Sequence, residues 1–162
     1  QRRFNFVRPG YRYRGTELEA ALGLAALHDD ISKAIDKRND IASTFAASLA
    51  KYGDYLQLPQ FPPYARHAFM MFPIVITNPA IKRDELVSFL EEHNVETRFM
   101  LPLINQPYIK KLFGDMSKKL PVSHFINKSG FYIGCHEHLS GKEVKYIQSV
   151  FDEFFRLKGI IV

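Results

Sequence analysis

The chain encodes an α+β domain, a small antiparallel or mixed sheet with helices on one face and a long helix at its N-terminal end. Three observations predict it. Apolar residues recur at helical spacing over residues 16–52, 83–93 and 141–155, the period of a helix with one buried side. Short apolar runs at 67–77, 95–99 and 131–135, bounded by Pro, Asn or Gly, have the length and composition of strands. Behind the long helix the two types alternate, an order that lays helices against a sheet.

Residues 1–15 form an irregular arm punctuated by Pro9-Gly10. Thr16 and Glu19 then have the spacing of a capping box, and Leu18, Leu22 and Ala25 follow at helical intervals. No proline occurs from Thr16 to Tyr52, so one long helical region is expected, bent near Asp29-Asp30 because Asp favours caps over helix interiors. Its apolar face continues through Ile31, Ala34, Ile35, Ile41, Phe45 and Leu49. Gly53–Ala65, with Pro59, Pro62 and Pro63, is a connector. His67–Thr77 is a strand buried on both faces, ended by Asn78-Pro79. Arg83–His93 is an amphipathic helix stopped at Asn94, and Val95–Phe99 a short strand.

Pro102–Pro107 is a loop, Tyr108–Phe113 a helical turn closed by Gly114, and Val122–Ser129 a helix stopped at Gly130. Phe131–Cys135 makes a third strand. Ser140 and Glu143 repeat the capping-box spacing before the last helix, whose buried stripe is Val144, Ile147, Phe151, Phe154 and Phe155.

A length of 162 residues suits one domain with a real core, and 46% hydrophobic with 24% charged residues is ordinary for a globular protein. The net charge of +5 is compatible with nucleic acid or with phosphate-bearing small molecules. Its excess gathers in Arg2, Arg3, Arg8, Arg12 and Arg14, and again in Lys110, Lys111, Lys118 and Lys119, with no nucleic-acid motif around either group. Nucleic acid is therefore not the expected partner. One cysteine, Cys135, excludes an internal disulfide and fits a reducing, cytoplasmic compartment. No run approaches the roughly 20 apolar residues of a membrane span, so no membrane partner is expected. Cys135-His136-Glu137-His138 offers clustered ligand types, but no second cluster at metal spacing accompanies it, and no metal is expected.

The run Gly10-Tyr11-Arg12-Tyr13-Arg14-Gly15-Thr16-Glu17-Leu18-Glu19-Ala20-Ala21-Leu22-Gly23 resembles the G-Y-N-Y-R-x-T-E-x-Q-A-A-x-G segment of the DegT/DnrJ/EryC1/StrS family of pyridoxal-phosphate (PLP) sugar aminotransferases. Further segments resemble that family in the same order. They are Lys37-Arg38-Asn39-Asp40-Ile41-Ala42, the strand start from His67, Arg83-Asp84-Glu85-Leu86 through Val95-Glu96-Thr97-Arg98, Pro102–Tyr108, and the stretch from Phe131. The E-T-R form is similar to the perosamine-synthase and deoxysugar 3-dehydratase branches.

The resemblance implies the small C-terminal domain of an aspartate-aminotransferase-type PLP enzyme, covering residues 16–162 with the arm 1–15 before it. The large PLP-binding domain, with its Schiff-base lysine, has no counterpart in this sequence; Lys33, Lys51, Lys82 and Lys128 lack the family's lysine setting. A homodimer is implied, in which Arg12, standing where the family has Asn, and Arg14 reach the partner's PLP phosphate. Arg98 is implied to bind the nucleotide-sugar substrate, and no residue of the chain is assigned a catalytic role. Phe99 and Ile104 replace family histidines, which implies a different sugar pocket. The expected function is that of a C-terminal fragment, inactive alone, of an enzyme that aminates a keto sugar for surface polysaccharide or deoxysugar biosynthesis. A 4-keto-6-deoxysugar 3-dehydratase and a non-catalytic binding module are the alternatives.

Overall fold

A computed structural model of the chain describes residues 6–10, 15–28 and 31–160. It contains helices α1 (Glu17–His28), α2 (Ile31–Leu49), α3 (Arg83–Glu92), α4 (Pro107–Phe113), α5 (Pro121–Ser129) and α6 (Gly141–Leu157). The strands are β1 (Leu56–Gln57), β2 (Met71–Ile76), β3 (Thr97–Phe99) and β4 (Gly130–Gly134). They form one sheet in the order β1-β2-β4-β3, with every pair antiparallel.

The register divides the side chains cleanly. Phe72 stands opposite Ile133, Ile74 opposite Phe131, and Thr97 opposite Ile133 on the far side of β4. Because side chains alternate along a strand, these residues share an inner face with Ile76 and Leu56. The outer face carries Met71, Pro73, Tyr132 and Arg98. On the inner face lie Ile41, Phe45 and Leu49 of α2, Leu86 and Leu90 of α3, and Val150, Phe151, Phe154 and Phe155 of α6, all buried. Phe45 meets Phe72 at a ring separation of 5.5 Å, and Tyr52 stacks on Phe155 at 3.8 Å. The Tyr52 hydroxyl donates to Asp152 at 2.7 Å, and burial followed by that carboxylate pushes its pKa upward.

Local signals explain the boundaries. Both capping boxes form: Glu19 N–H donates to Thr16 while Thr16 N–H donates to the Glu19 carboxylate, and Ser140 and Glu143 repeat the exchange. Asn94, at φ 59°, ends α3 with its N–H on the Glu91 carbonyl and the next N–H, of Val95, on Leu90, the paired bonds of a Schellman stop. Gly130 begins β4 because a Cβ there would lie 2.6 Å from the Ile126 carbonyl oxygen at the end of α5.

Three details differ from the sequence reading. The connector after Gly53 contains β1, two residues long, too short for a periodicity signal. The strand expected from His67 starts at Met71, because Phe69 sits at φ 38° with its N–H donated to His67 Nδ1 at 3.0 Å. Strand β2 is fully buried on one face only, alternating half-buried and buried residues. The long helical region is described as α1 and α2 separately, the expected bend at residues 29–30 lying outside the described residues, and a 3-10 turn, Ala50–Tyr52, completes it. Pro73 is tolerated because β1 pairs only with Val75 and Ile76, leaving β2 a free flank there.

Helix α1 stands apart from this core. Leu18, Leu22, Leu24 and Leu27 are all more than half exposed. Removing the Ser140 cap by Ser140→Ala should therefore cost about 1 kcal/mol, and Phe72→Ala about 3–5 kcal/mol. Thr16→Ala, which frays only α1, should leave the main unfolding transition where it is. Denaturant unfolding of the three variants checks this ordering.

Candidate functional site

The site is built on the outer sheet face. Thr97 points inward and is held by Glu91, whose Oε1 accepts both its N–H at 2.8 Å and its hydroxyl at 2.7 Å. Alternation then turns Arg98 outward beside Tyr132. The Arg98 guanidinium pairs with Glu96 and donates to the Thr97 carbonyl at 3.1 Å. It borders a cleft of about 530 Å³ with Met71, Asn94, Tyr132, His136 and Tyr146. Glu96 is 71% exposed at its side chain. A pair of that kind contributes little to stability, so an incoming anion can replace Glu96 on the guanidinium fork at small cost.

A second, more apolar cleft of about 500 Å³ adjoins the first, sharing Met71 and Tyr132 with it. Phe6, Phe99, Met100, Gln106 and Ile126 complete its walls. Neither cleft is lined by a lysine. The two clefts thus set an arginine able to receive an anion beside an apolar wall, with no lysine on either to hold PLP as a Schiff base. These two clefts by themselves do not make up a PLP site.

Of the residues singled out in the sequence, Arg98 is at the cleft, while Arg12 and Arg14 lie outside the described residues. Sequence reasoning passed over Met71, Tyr132 and Gln106. The signal for the first two was available: once Phe72 and Ile133 are placed in the core, period-two alternation puts their neighbours on the opposite face. Gln106 had no such signal, since its contact lies a hundred residues away in the chain.

Other chemistry-bearing residues have structural employment. Arg83 lies over the Phe99 ring at 4.0 Å and donates to the Asn127 carbonyl at 2.6 Å, tying α3 to α5. Cys135 is buried, which pushes its thiol pKa up to about 11. Glu137 accepts from Arg38 Nε at 2.6 Å, and that bond holds its carboxyl down at about 2. His138 is exposed beside it.

A family model, the DegT/DnrJ/EryC1/StrS aminotransferase family, matches residues 1–152. The chain belongs to that family. It is 28% identical over 158 residues to the lipopolysaccharide biosynthesis protein RfbH of Salmonella typhimurium, covering 96% of this chain and 36% of that protein. With the GDP-perosamine synthase of Escherichia coli O157:H7 it shares 27% identity over 148 residues, 90% of this chain and 38% of that one. The solved structure of the E. coli GDP-4-keto-6-deoxy-D-mannose-3-dehydratase with bound hydrated PLP superposes with a TM-score of 0.63 at 25% identity, covering 91% of this chain and 38% of that chain. The chain therefore spans little more than a third of the length of these relatives. Among the described residues no helix is long and apolar enough to cross a membrane.

The Arg38–Glu137 bond ties α2 to the loop after β4 and sets a pH dependence. The folded-state pKa of Glu137 lies below its ordinary value of 4.5, so its stabilisation is complete above that value and is lost as pH falls toward about 2. Glu137→Gln should remove this component: the wild type should lose its stability advantage over the variant between those limits. Melting temperatures of both proteins across that range measure it.

Proposed function

We propose that residues 16–162 are the C-terminal small domain, preceded by an arm at 1–15, of a PLP-dependent nucleotide-sugar aminotransferase. The complete protein would be a cytoplasmic homodimer that passes an amino group to a keto sugar in surface polysaccharide or deoxysugar biosynthesis. The large domain with the cofactor's lysine would lie outside these residues, so the chain alone is inactive. The observation that carries this reading is Arg98, turned out of β3 onto a concave face beside an apolar wall in a chain of this family. Its guanidinium suits the diphosphate of a nucleotide sugar, which it can grip with two parallel N–H···O bonds once Glu96 swings away. Tyr132 and Met71 offer a floor for the less polar parts of the ligand.

Arg12 and Arg14 are proposed to serve the partner subunit's cofactor phosphate. The exposed leucines of α1 support an assembly, because a helix apolar on all sides is stable only when something covers it. That cover would be the large domain and the second subunit.

A 4-keto-6-deoxysugar 3-dehydratase is the second reading, favoured by the 25% identity to the E. coli dehydratase. The two readings share the role of Arg98 and differ in chemistry done outside this chain.

In the full-length protein, Arg98→Ala should weaken nucleotide-sugar binding by about 1.5–3 kcal/mol, the range for hydrogen bonds to a charged group, with the melting temperature unchanged. Titration calorimetry and thermal melts separate the two effects. A large fall in melting temperature at unchanged affinity would show Arg98 to be structural. The 162-residue chain, treated with PLP and borohydride, should yield no single-site lysine adduct by mass spectrometry; one formed at low PLP defeats the reading.

A further inference from the structure

Gln106 and Thr97 are the polar side chains buried among the described residues. Thr97 is satisfied by its neighbour Glu91, whereas Gln106 is committed to a distant part of the chain. It occupies the position before α4, at φ −70° and ψ 136°, yet its side chain makes no capping bond to that helix. Its Oε1 instead accepts the N–H of Phe6 at 3.0 Å. The carbonyl of the same Phe6 accepts the N–H of Tyr108 at 3.1 Å. Pro107 has no N–H, so Tyr108 carries the first donor of α4, one that the helix itself cannot satisfy. Both backbone polar groups of one arm residue are thus taken by residues 106–108, as in one rung of a β-ladder. The Phe6 side chain meanwhile joins Met71, Phe99 and Tyr132 in walling the apolar cleft.

We propose that Gln106 is the positioning residue for the N-terminal arm, seating Phe6 against the outer sheet face and so fixing the origin from which the arm carries Arg12 and Arg14. Arg12 is six residues along the chain from Phe6, a reach of at most roughly 20 Å in extended chain. Thr16, which caps α1, lies four residues beyond Arg12, so seating Phe6 tethers the intervening segment at both ends, and releasing Phe6 leaves it tethered at Thr16 alone. Fixing the origin lowers the entropy lost when Arg12 meets its phosphate. The seating of Phe6 stands on the geometry alone. Its consequence for Arg12 and Arg14 rests on the function proposed above.

Two variants separate these parts. Gln106→Met keeps length and volume but removes the oxygen acceptor; Gln106→Glu keeps an acceptor. In the 162-residue chain, amide exchange measured by NMR should show Phe6 and Tyr108 protected. In Gln106→Met the Phe6 amide should exchange about tenfold faster, and Gln106→Glu should restore protection, with the amides of β2 and β4 unchanged throughout. Equal Phe6 exchange in wild type and Gln106→Met overturns the seating. Loss of protection across β2 and β4 as well would make Gln106 a core residue and overturns its positioning role. In the full-length protein, Gln106→Met should raise the apparent Kd for PLP, and should add nothing in an Arg12→Ala background. Full additivity of the two substitutions overturns the coupling to Arg12. An Arg12→Ala variant with unchanged PLP affinity would instead defeat the proposed role of Arg12, leaving the exchange result to decide the seating.

Discussion

The pairing of β2 with β4 governs the molecule. With Phe72 opposite Ile133 and Ile74 opposite Phe131, the large apolar side chains of the two central strands fall on one face. They meet Phe45 of α2 and Phe151 and Phe155 of α6 there, all fully buried. A slip of one residue would exchange the faces, putting Met71 and Tyr132 into the core and phenylalanines into water. Apolar burial against α2, α3 and α6 therefore fixes the register. The site on the other face is what that register leaves outward.

Arg98 illustrates the consequence. Its placement follows from Thr97, which the core and Glu91 hold inward; its partner Glu96 is exposed and exchangeable. An arginine held by backbone register yet only weakly held by its counter-ion suits anion recognition, because orientation is settled before the ligand arrives. Arg83 is the contrast. Lodged over Phe99 and bonded to the Asn127 carbonyl, it is committed to joining two helices.

The parts away from the sheet show that folding and assembly make different demands on one chain. α1 is capped as well as α6, by the same Thr/Ser and Glu exchange, yet its leucines face outward. A cap fixes where a helix begins and says nothing about what covers it. Under the assembly proposed above, the large domain and the second subunit would supply that cover.

The sequence by itself determined the elements whose signals are local. Capping boxes at Thr16 and Ser140, the left-handed stop at Asn94 and the stripe from Val144 to Phe155 all stand where residue spacing puts them. Family membership was legible for a similar reason, since six short motifs keep their order over nearly the whole chain. Strand β1 was not legible, because two residues carry no period and pair only when β2 is already in place. The start of β2 was misjudged because the turn at Phe69 depends on a bond to His67 that no propensity encodes. Arg98 could be named from its motif, but its cleft could not, since Met71, Tyr132 and Tyr146 converge from three elements. Gln106 was the least legible of all. Its meaning depends on Phe6, a hundred residues earlier, and only the tertiary fold brings an acceptor and a donor that distant within 3.0 Å.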